Sequence, residues 1–467
     1  MTAARLGLWG GLALFILMLL IPAPQGMATT AWNVAALTLL MATLWMTQAF
    51  PLTVTALLPF LVLPLMGVMS ASEVAREYYS PTLFLILGGA FLALTIERTG
   101  MHRRVALLIL ARCGHSPKGL LMAFMGATAF LSMIMSNTSI ALIMVPIALA
   151  VLAAGGVSEG DNDGIAGALI MGVAFAASIG GLGTLVGSPT NAIAAGLVEK
   201  QLGIQIDFLT WMKFGIPVVL LGIPLCAFIL MRVQNVSAGS FDIDSARAAI
   251  GQPDRMSVAE RRLVPIILLV IGAWVAQPWI EPMLPKGAIT DGSIAVAGAF
   301  LLFIVPDGTD RPLLVWKEAD RAPWGVIMMF GGGLALAAGI TESGLAAWLG
   351  EVLKPLASVH PVIIAAALVA LVILITEFAS NVATASGVMP VVAGLVAATG
   401  ADPWLMAMAA SMAASWGFMM PSGTGPNAIA WATGHIGLPR MVKAGFCLDI
   451  AGIPLIVGIT WLITSIS

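Results

Sequence analysis

Three observations predict the fold class: an all-α polytopic membrane protein of about eleven transmembrane helices plus two re-entrant hairpins, built as an inverted repeat of two halves. First, the chain is 60% hydrophobic and only 9% charged, where a soluble domain carries about 25% charged residues. Second, apolar runs of roughly 20 residues, the length that crosses a bilayer, recur from end to end. Third, the chain repeats itself. Gly88, Gly100, Pro117, Ser136, Asn137 and Pro146 return without a gap, 244 positions later, as Gly332, Gly344, Pro361, Ser380, Asn381 and Pro390.

The spans are read at 6–21, 32–50, 52–66, 83–96, 165–201 (long and broken), 211–233, 263–279, 289–305, 324–340, 403–433 (again broken) and 441–463. Two further apolar segments, 118–152 and 361–399, are too long for one crossing and carry a polar tripeptide in the middle, which fits hairpins better than plain spans. The run 6–21 is long for a signal-peptide core and PAPQGMATT is a poor cleavage site, so this span is expected to stay. Lys and Arg set the orientation. With the amino terminus inside beside Arg5, the residues Arg98 to Lys118, Arg232 to Arg262, Arg311 to Arg321 and Arg440 with Lys443 fall on one face, leaving Arg76, Lys200, Lys213, Lys286 and Lys354 on the other. The amino terminus is then cytoplasmic and the carboxyl terminus outside. Each half, 32–233 and 263 to the end, holds five spans plus a hairpin, and an odd number of crossings forces the second copy to enter the membrane upside down. The basic segment 235–262 is the linker. A net charge of −2 excludes nothing useful. No nucleotide-binding loop, low-complexity tract or soluble domain is read, and no nucleic-acid partner is expected.

Between the repeated anchors the two copies read SNTSIALIMVP and SNVATASGVMP, and GSPTNAIA at 187–194 is answered by GTGPNAIA at 423–430. The eight residues lost between the two offsets fit the polar stretch 157–164, which the second half largely lacks. Internal duplication in a membrane protein points to a transporter with its site between the repeats. Ser136, Asn137 and Thr138 are N-cap residue types in the middle of an apolar hairpin, so they should end one half-helix and start the next. A helix N-terminus at membrane depth presents free N–H groups to a carboxylate, and the C-terminal end of the other half offers carbonyls to a cation. Ser132, one turn upstream, adds a hydroxyl that its mate Thr376 preserves; Ser380 and Asn381 repeat the cap. In IGGLGTLVGSPTN and PSGTGPN, clustered Gly and Pro cannot continue a helix. Irregular backbone at such depth must line a cavity or water-filled site. Asn191 and Asn427, just after the breaks, can tie these loops.

No Lys or Arg falls within these elements. Glu377 and Asp449 lie within apolar segments and read either as a proton relay or cation site, or as buried hydrogen-bonding groups. Cys113, Cys226 and Cys447 have neither metal nor disulfide spacing and read as small buried residues. An enzyme would need a nucleophile with its base or a metal cluster, and the four histidines, His102, His115, His360 and His435, fall at span ends. A channel would need a continuous polar stripe, whereas the polar groups here concentrate at one depth.

On SNT at Ser136 to Thr138, SNV at Ser380 to Val382, GSPTNAIA and GTGPNAIA, the chain resembles, over nearly its whole length, the divalent anion/sodium symporter family, which carries C4-dicarboxylates, citrate or sulfate. The resemblance implies sodium-coupled symport of a small dicarboxylate. One sodium site would be Ser132, Ser136, Asn137 and Gly187, the other Thr376, Ser380, Asn381 and Gly423. Substrate contacts would be Ser136, Asn137, Thr138, Ser188, Pro189, Ser380, Asn381, Val382, Thr424 and Gly425. It also implies a homodimer in the bacterial inner membrane working as an elevator, with scaffold parts at 1–117 and 234–360 and transport parts at 118–233 and 361–467. Two positions depart from the family: Val382 replaces a common Thr, and Gly425 stands where Pro is common. A citrate, sulfate or other anion permease of related fold, or a sodium-independent dicarboxylate exchanger, is the alternative.

Overall fold

The computed structural model describes residues 3–112, 115–158, 160–236, 241–285 and 287–466; Cys113, Lys286 and part of the linker lie outside the described residues. The described residues are helical, with one isolated bridge between Pro306 and Pro312 and no named strand. The helices of the first half are α1 (Ala3–Leu20), α2 (Thr29–Thr47), α3 (Leu52–Thr55), α4 (Leu58–Leu65), α5 (Ala71–Glu77), α6 (Pro81–Thr99), α7 (Met101–Leu110), α8 (Pro117–Ser132), α9 (Asn137–Ala154), α10 (Gly164–Gly181), α11 (Pro189–Leu202) and α12 (Phe208–Val233). Helix α13 (Ile243–Ile250) lies in the linker. The second half holds α14 (Val258–Ile280), α15 (Asp291–Ile304), α16 (Trp316–Ala319), α17 (Trp324–Glu342), α18 (Leu345–Leu353), α19 (Pro361–Phe378), α20 (Asn381–Thr399), α21 (Pro403–Ala413), α22 (Gly425–Ala432) and α23 (Leu438–Ile466). Ten helical stretches are long and apolar enough to cross a membrane, three of them hairpin helices. This is a multi-pass membrane protein.

The repeated anchors occupy matching structural stations. Pro117 and Pro361 start α8 and α19, where a missing N–H costs nothing. Ser136 and Ser380 cap α9 and α20, and Pro146 and Pro390 lie inside those two helices. Gly100 (φ 77°) and Gly344 (φ 82°) turn the chain from α6 into α7 and from α17 into α18, in the left-handed region that side chains disfavour. A Cβ on Gly88 would lie 2.6 Å from the Ala295 backbone, and one on Gly332 2.3 Å from the Ala56 carbonyl oxygen. Both glycines therefore mark close helix approaches.

One expected span is irregular. The 52–66 segment is two helices with a turn at Ala56 and Leu57, because Pro59 has no N–H to continue α3, and the Tyr78 hydroxyl donates to the freed Ala56 carbonyl at 2.6 Å.

Ion pairs join the basic connections to one another. Arg98 meets Asp307 and Glu318, Arg104 meets Glu260 at 2.7 Å, Arg311 meets Glu318 at 2.6 Å, Arg321 meets Glu97 at 3.1 Å, and Arg440 meets Asp163. Lys200, from the other set, pairs with Glu77 at 2.9 Å. A large core runs through the hairpins, the broken helices, α12 and α23, while a smaller one gathers Val34, Met41, Trp45, Leu63 and Leu336 from α2, α4 and α17. Large apolar side chains such as Leu220, Leu268, Phe300 and Leu371 stay outward, as lipid-facing positions require.

Candidate functional site

Four helices begin where the hairpins and the breaks meet. The first hairpin turns between α8 and α9, the second between α19 and α20; the first break separates α10 from α11, the second α21 from α22. Each of the four new helices starts with a hydroxyl cap in extended backbone. Ser136 accepts from the Ser139 N–H at 3.2 Å, Ser188 from Thr190 at 3.3 Å, Ser380 from Ala383 at 3.2 Å and Thr424 from Asn427 at 3.3 Å. The cap is thus Ser136 or Ser380, and Asn137 or Asn381 is the first helical residue, which corrects the reading of the Asn as part of the cap. The freed Asn side chains turn back toward the preceding helix. Ser132 Oγ lies 2.7 Å from the Asn137 amide and donates to the Ala177 carbonyl at 2.7 Å. Thr376 Oγ1 lies 2.9 Å from Asn381 Oδ1 and donates to Ala414 at 2.7 Å. With its nitrogen turned inward, the Asn137 amide donates to Ala177 O (3.1 Å), Ser132 Oγ (2.7 Å) and Gly187 O (3.2 Å).

The breaks are tied as their sequences suggest. Asn191 Nδ2 donates to Gly181 O at 2.7 Å and Thr184 O at 2.8 Å; its mate Asn427 donates to Met420 O at 3.2 Å. Two side chains that sequence reasoning missed complete the first break. Thr184 Oγ1 donates to Met133 O and accepts from the Gly187 N–H at 3.1 Å, and the Trp211 indole donates to Leu182 O at 2.8 Å. The Thr inside a Gly-rich run was the available signal for the first; the second is a long-range contact without one.

Around Gly187 the backbone oxygens converge. A Cβ there would lie 2.5 Å from Gly181 O, 2.9 Å from Ser132 O and 3.1 Å from Met133 O. A pocket of carbonyls this small, beside the Asn137 amide, has the donor set that a hard cation takes. The corresponding place at Gly423 is looser, with Met420 O at 3.3 Å and Glu377 O at 3.8 Å.

A cavity of about 230 Å³ opens against the first hairpin and first break, where it is lined by Ser136, Ser139, Ser188 and Pro189, opposite α6. Its charged lining residues are Glu97 and Arg321. Ser380, Asn381, Val382, Thr424 and Gly425 do not line it. Contact between the halves runs through Thr138, whose hydroxyl would sit 2.3 Å from a Cβ on Gly425. In the same crossed manner α11 packs on α20 and α22 on α9. Val382 is half-buried among apolar residues of both cores. Among the described residues no cluster of three or more His, Cys, Asp or Glu could hold a metal, and Cys226 and Cys447 are free.

Broken helices whose capped N-termini and released carbonyls meet between two repeated hairpins define a secondary transporter. Residues 4–466 match the family described as the sodium:sulfate symporter transmembrane region, and the chain belongs to that family. It is 37% identical over 468 residues to the sodium-dependent dicarboxylate transporter SdcS of Staphylococcus saprophyticus, covering 97% of this chain and 89% of the relative. It is 38% identical over 484 residues to SdcS of Staphylococcus aureus, covering 100% and 92%. Among solved structures, Neisseria gonorrhoeae MtrF, of a class of antimetabolite efflux pumps, shares the fold at a TM-score of 0.61 and 12% identity, over 98% of this chain and 94% of that one. The Alcanivorax borkumensis YdaH transporter does so at 0.55 and 15%, over 99% and 97%.

Proposed function

We propose that this protein is a sodium-coupled symporter of a small C4-dicarboxylate. The observation that carries the reading is the pairing of capped helix N-termini, which suit a carboxylate, with carbonyl cradles, which suit sodium, at the same tips. The names of the SdcS relatives agree with it. Ser132, Asn137 and Gly187 would hold one sodium with the carbonyls about them; Thr376, Ser380, Asn381 and Gly423 would hold the other, and bound sodium supplies the positive charge that this centre lacks in basic residues. Ser136, Thr138, Ser188, Pro189, Thr424 and Gly425 would face the substrate, with Val382 as an apolar wall. The four capped helix starts orient the carboxylates, and the Asn ties keep the breaks from closing as continuous helix.

The duplication supports inverted halves and alternating access. In this reading 118–233 and 361–467 move as an elevator past a scaffold of 1–117 and 234–360, in a homodimer in the inner membrane, with the amino terminus cytoplasmic and the carboxyl terminus outside. The test is uptake of labelled succinate into proteoliposomes. Uptake is expected with a sodium gradient and not with choline; equal uptake in both media refutes the coupling.

A further inference from the structure

Two carboxyl groups are buried beside the second break, and neither role described above uses them as ligands. Glu377, 2% exposed, stands at the end of α19. Its oxygens accept the backbone N–H groups of Phe418, of Met419 at 3.0 and 3.1 Å and of Met420 at 3.2 Å, so that this one carboxylate holds the irregular backbone leading to Gly423. Asp449, 4% exposed, lies within α23. Neither of its oxygens has a hydrogen-bond partner. Its polar neighbours are the Glu377 carboxylate and the Phe418 N–H.

The helices packed on α23 here bring no compensating charge. Helix α12 carries Lys213 and Arg232 only near its ends, α21 has no charged residue, and α19 has Glu377 alone. At the start of α23, Arg440 is engaged by Asp163 and Gln234, and Lys443 is exposed. Two adjacent carboxylates cannot both stay ionised in such surroundings without a positive charge between them.

We propose that Asp449 and Glu377 hold a small monovalent cation, a proton or a sodium ion, between them. This is a cation site separate from the Gly187 and Gly423 cradles, and it does not depend on the transported substrate. Glu377 follows Thr376 directly and clamps residues 418–420, so occupancy of this site sets the shape of the second break.

The test is thermal unfolding of the purified full-length protein in detergent, titrated with sodium against choline at mildly acidic and mildly alkaline pH, for wild type and Asp449→Asn. If the occupant is sodium, the wild-type slope of midpoint against log sodium corresponds to one more ion than in Asp449→Asn. If it is a proton, the wild-type midpoint falls from acidic to alkaline pH whatever the sodium concentration, and the variant loses that fall. An Asp449→Asn protein with both responses at wild-type size overturns the proposal. Infrared difference spectra of wild type decide it should the variant fail to fold. Loss of a carboxylic-acid carbonyl band on raising pH reports the proton, a sodium-dependent shift of carboxylate bands reports sodium, and the absence of both overturns the site.

Discussion

Gly187→Ala tests the first cradle with the smallest possible addition. Its φ is outside the left-handed region, so alanine brings no backbone strain. What it brings is a methyl group 2.5, 2.9 and 3.1 Å from three carbonyl oxygens, all backbone and none able to swing away. The methyl either occupies the place where a cation would sit or pushes the Ser132 and Gly181 backbones apart. Overpacking of this kind costs about 1 to 3 kcal/mol, and each 1.4 kcal/mol is about a factor of ten, so the sodium affinity read from uptake kinetics is expected to fall roughly 10- to 100-fold. The control is built into the repeat. A methyl on Gly423 would have its oxygen neighbours at 3.3 and 3.8 Å, close to ordinary van der Waals contact, so Gly423→Ala should fall less than about tenfold. The assay is sodium-dependent succinate uptake in proteoliposomes over a sodium series. Equal effects of the two substitutions, or a larger one at Gly423, would refute the cradle argument.

Ser136→Ala removes a cap, at about 1 kcal/mol of helix stability, whereas Asn137→Ala removes an amide that reaches Ser132, Ala177 and Gly187; sodium-dependent uptake should therefore fall further in Asn137→Ala. Asp307 lies between α15 and α16, where the Thr309 hydroxyl and the Arg98 guanidinium hold its carboxyl well below the usual carboxylate range. A lowered folded-state value gives stability that is complete above the unfolded value of about 3.9 and is lost as pH falls through the folded one. The midpoint advantage of wild type over Asp307→Asn in thermal unfolding should accordingly shrink on strong acidification and hold at neutral pH. Arg321, the basic side chain in the cavity wall, should attract a dianion into it. Arg321→Gln is expected to slow transport from the cavity side only, more at low salt than at high salt, as initial rates from vesicles of either orientation would show.

Much of this architecture was legible because it is written in residues whose effect is local. Glycine at 100 and 344, proline at 117 and 361 and serine at 136 and 380 act on their own backbone, so a repeat of the residue was a repeat of the conformation. The Asn191 and Asn427 ties were readable for the same reason, since each reaches a carbonyl seven residues back. Illegible features depend on partners far along the chain. Trp211 reaches Leu182, Arg321 reaches Glu97, and the turn that splits 52–66 is held by Tyr78. The choice between Ser136 and Asn137 as the cap also escaped, because both residue types cap equally well and only φ and ψ separate them.

The two halves agree in backbone and differ in charge, and that difference says how the site works. At the first tip the residue after Ser132 is Met133, whose carbonyl joins the cradle and whose side chain packs against Gly183. At the second, the residue after Thr376 is Glu377, whose carboxylate replaces part of that packing with charge-assisted hydrogen bonds to the break. A cation at the first tip is therefore met by neutral, closely set carbonyls, and one at the second by a wider place with a formal negative charge behind it. The first arrangement selects by size, since ions that do not match the spacing cannot draw three fixed oxygens inward. The second relies on charge and tolerates a change of spacing. Duplication supplied one backbone twice, and a single exchange between Met133 and Glu377 is enough to make the two cradles bind on different physical grounds.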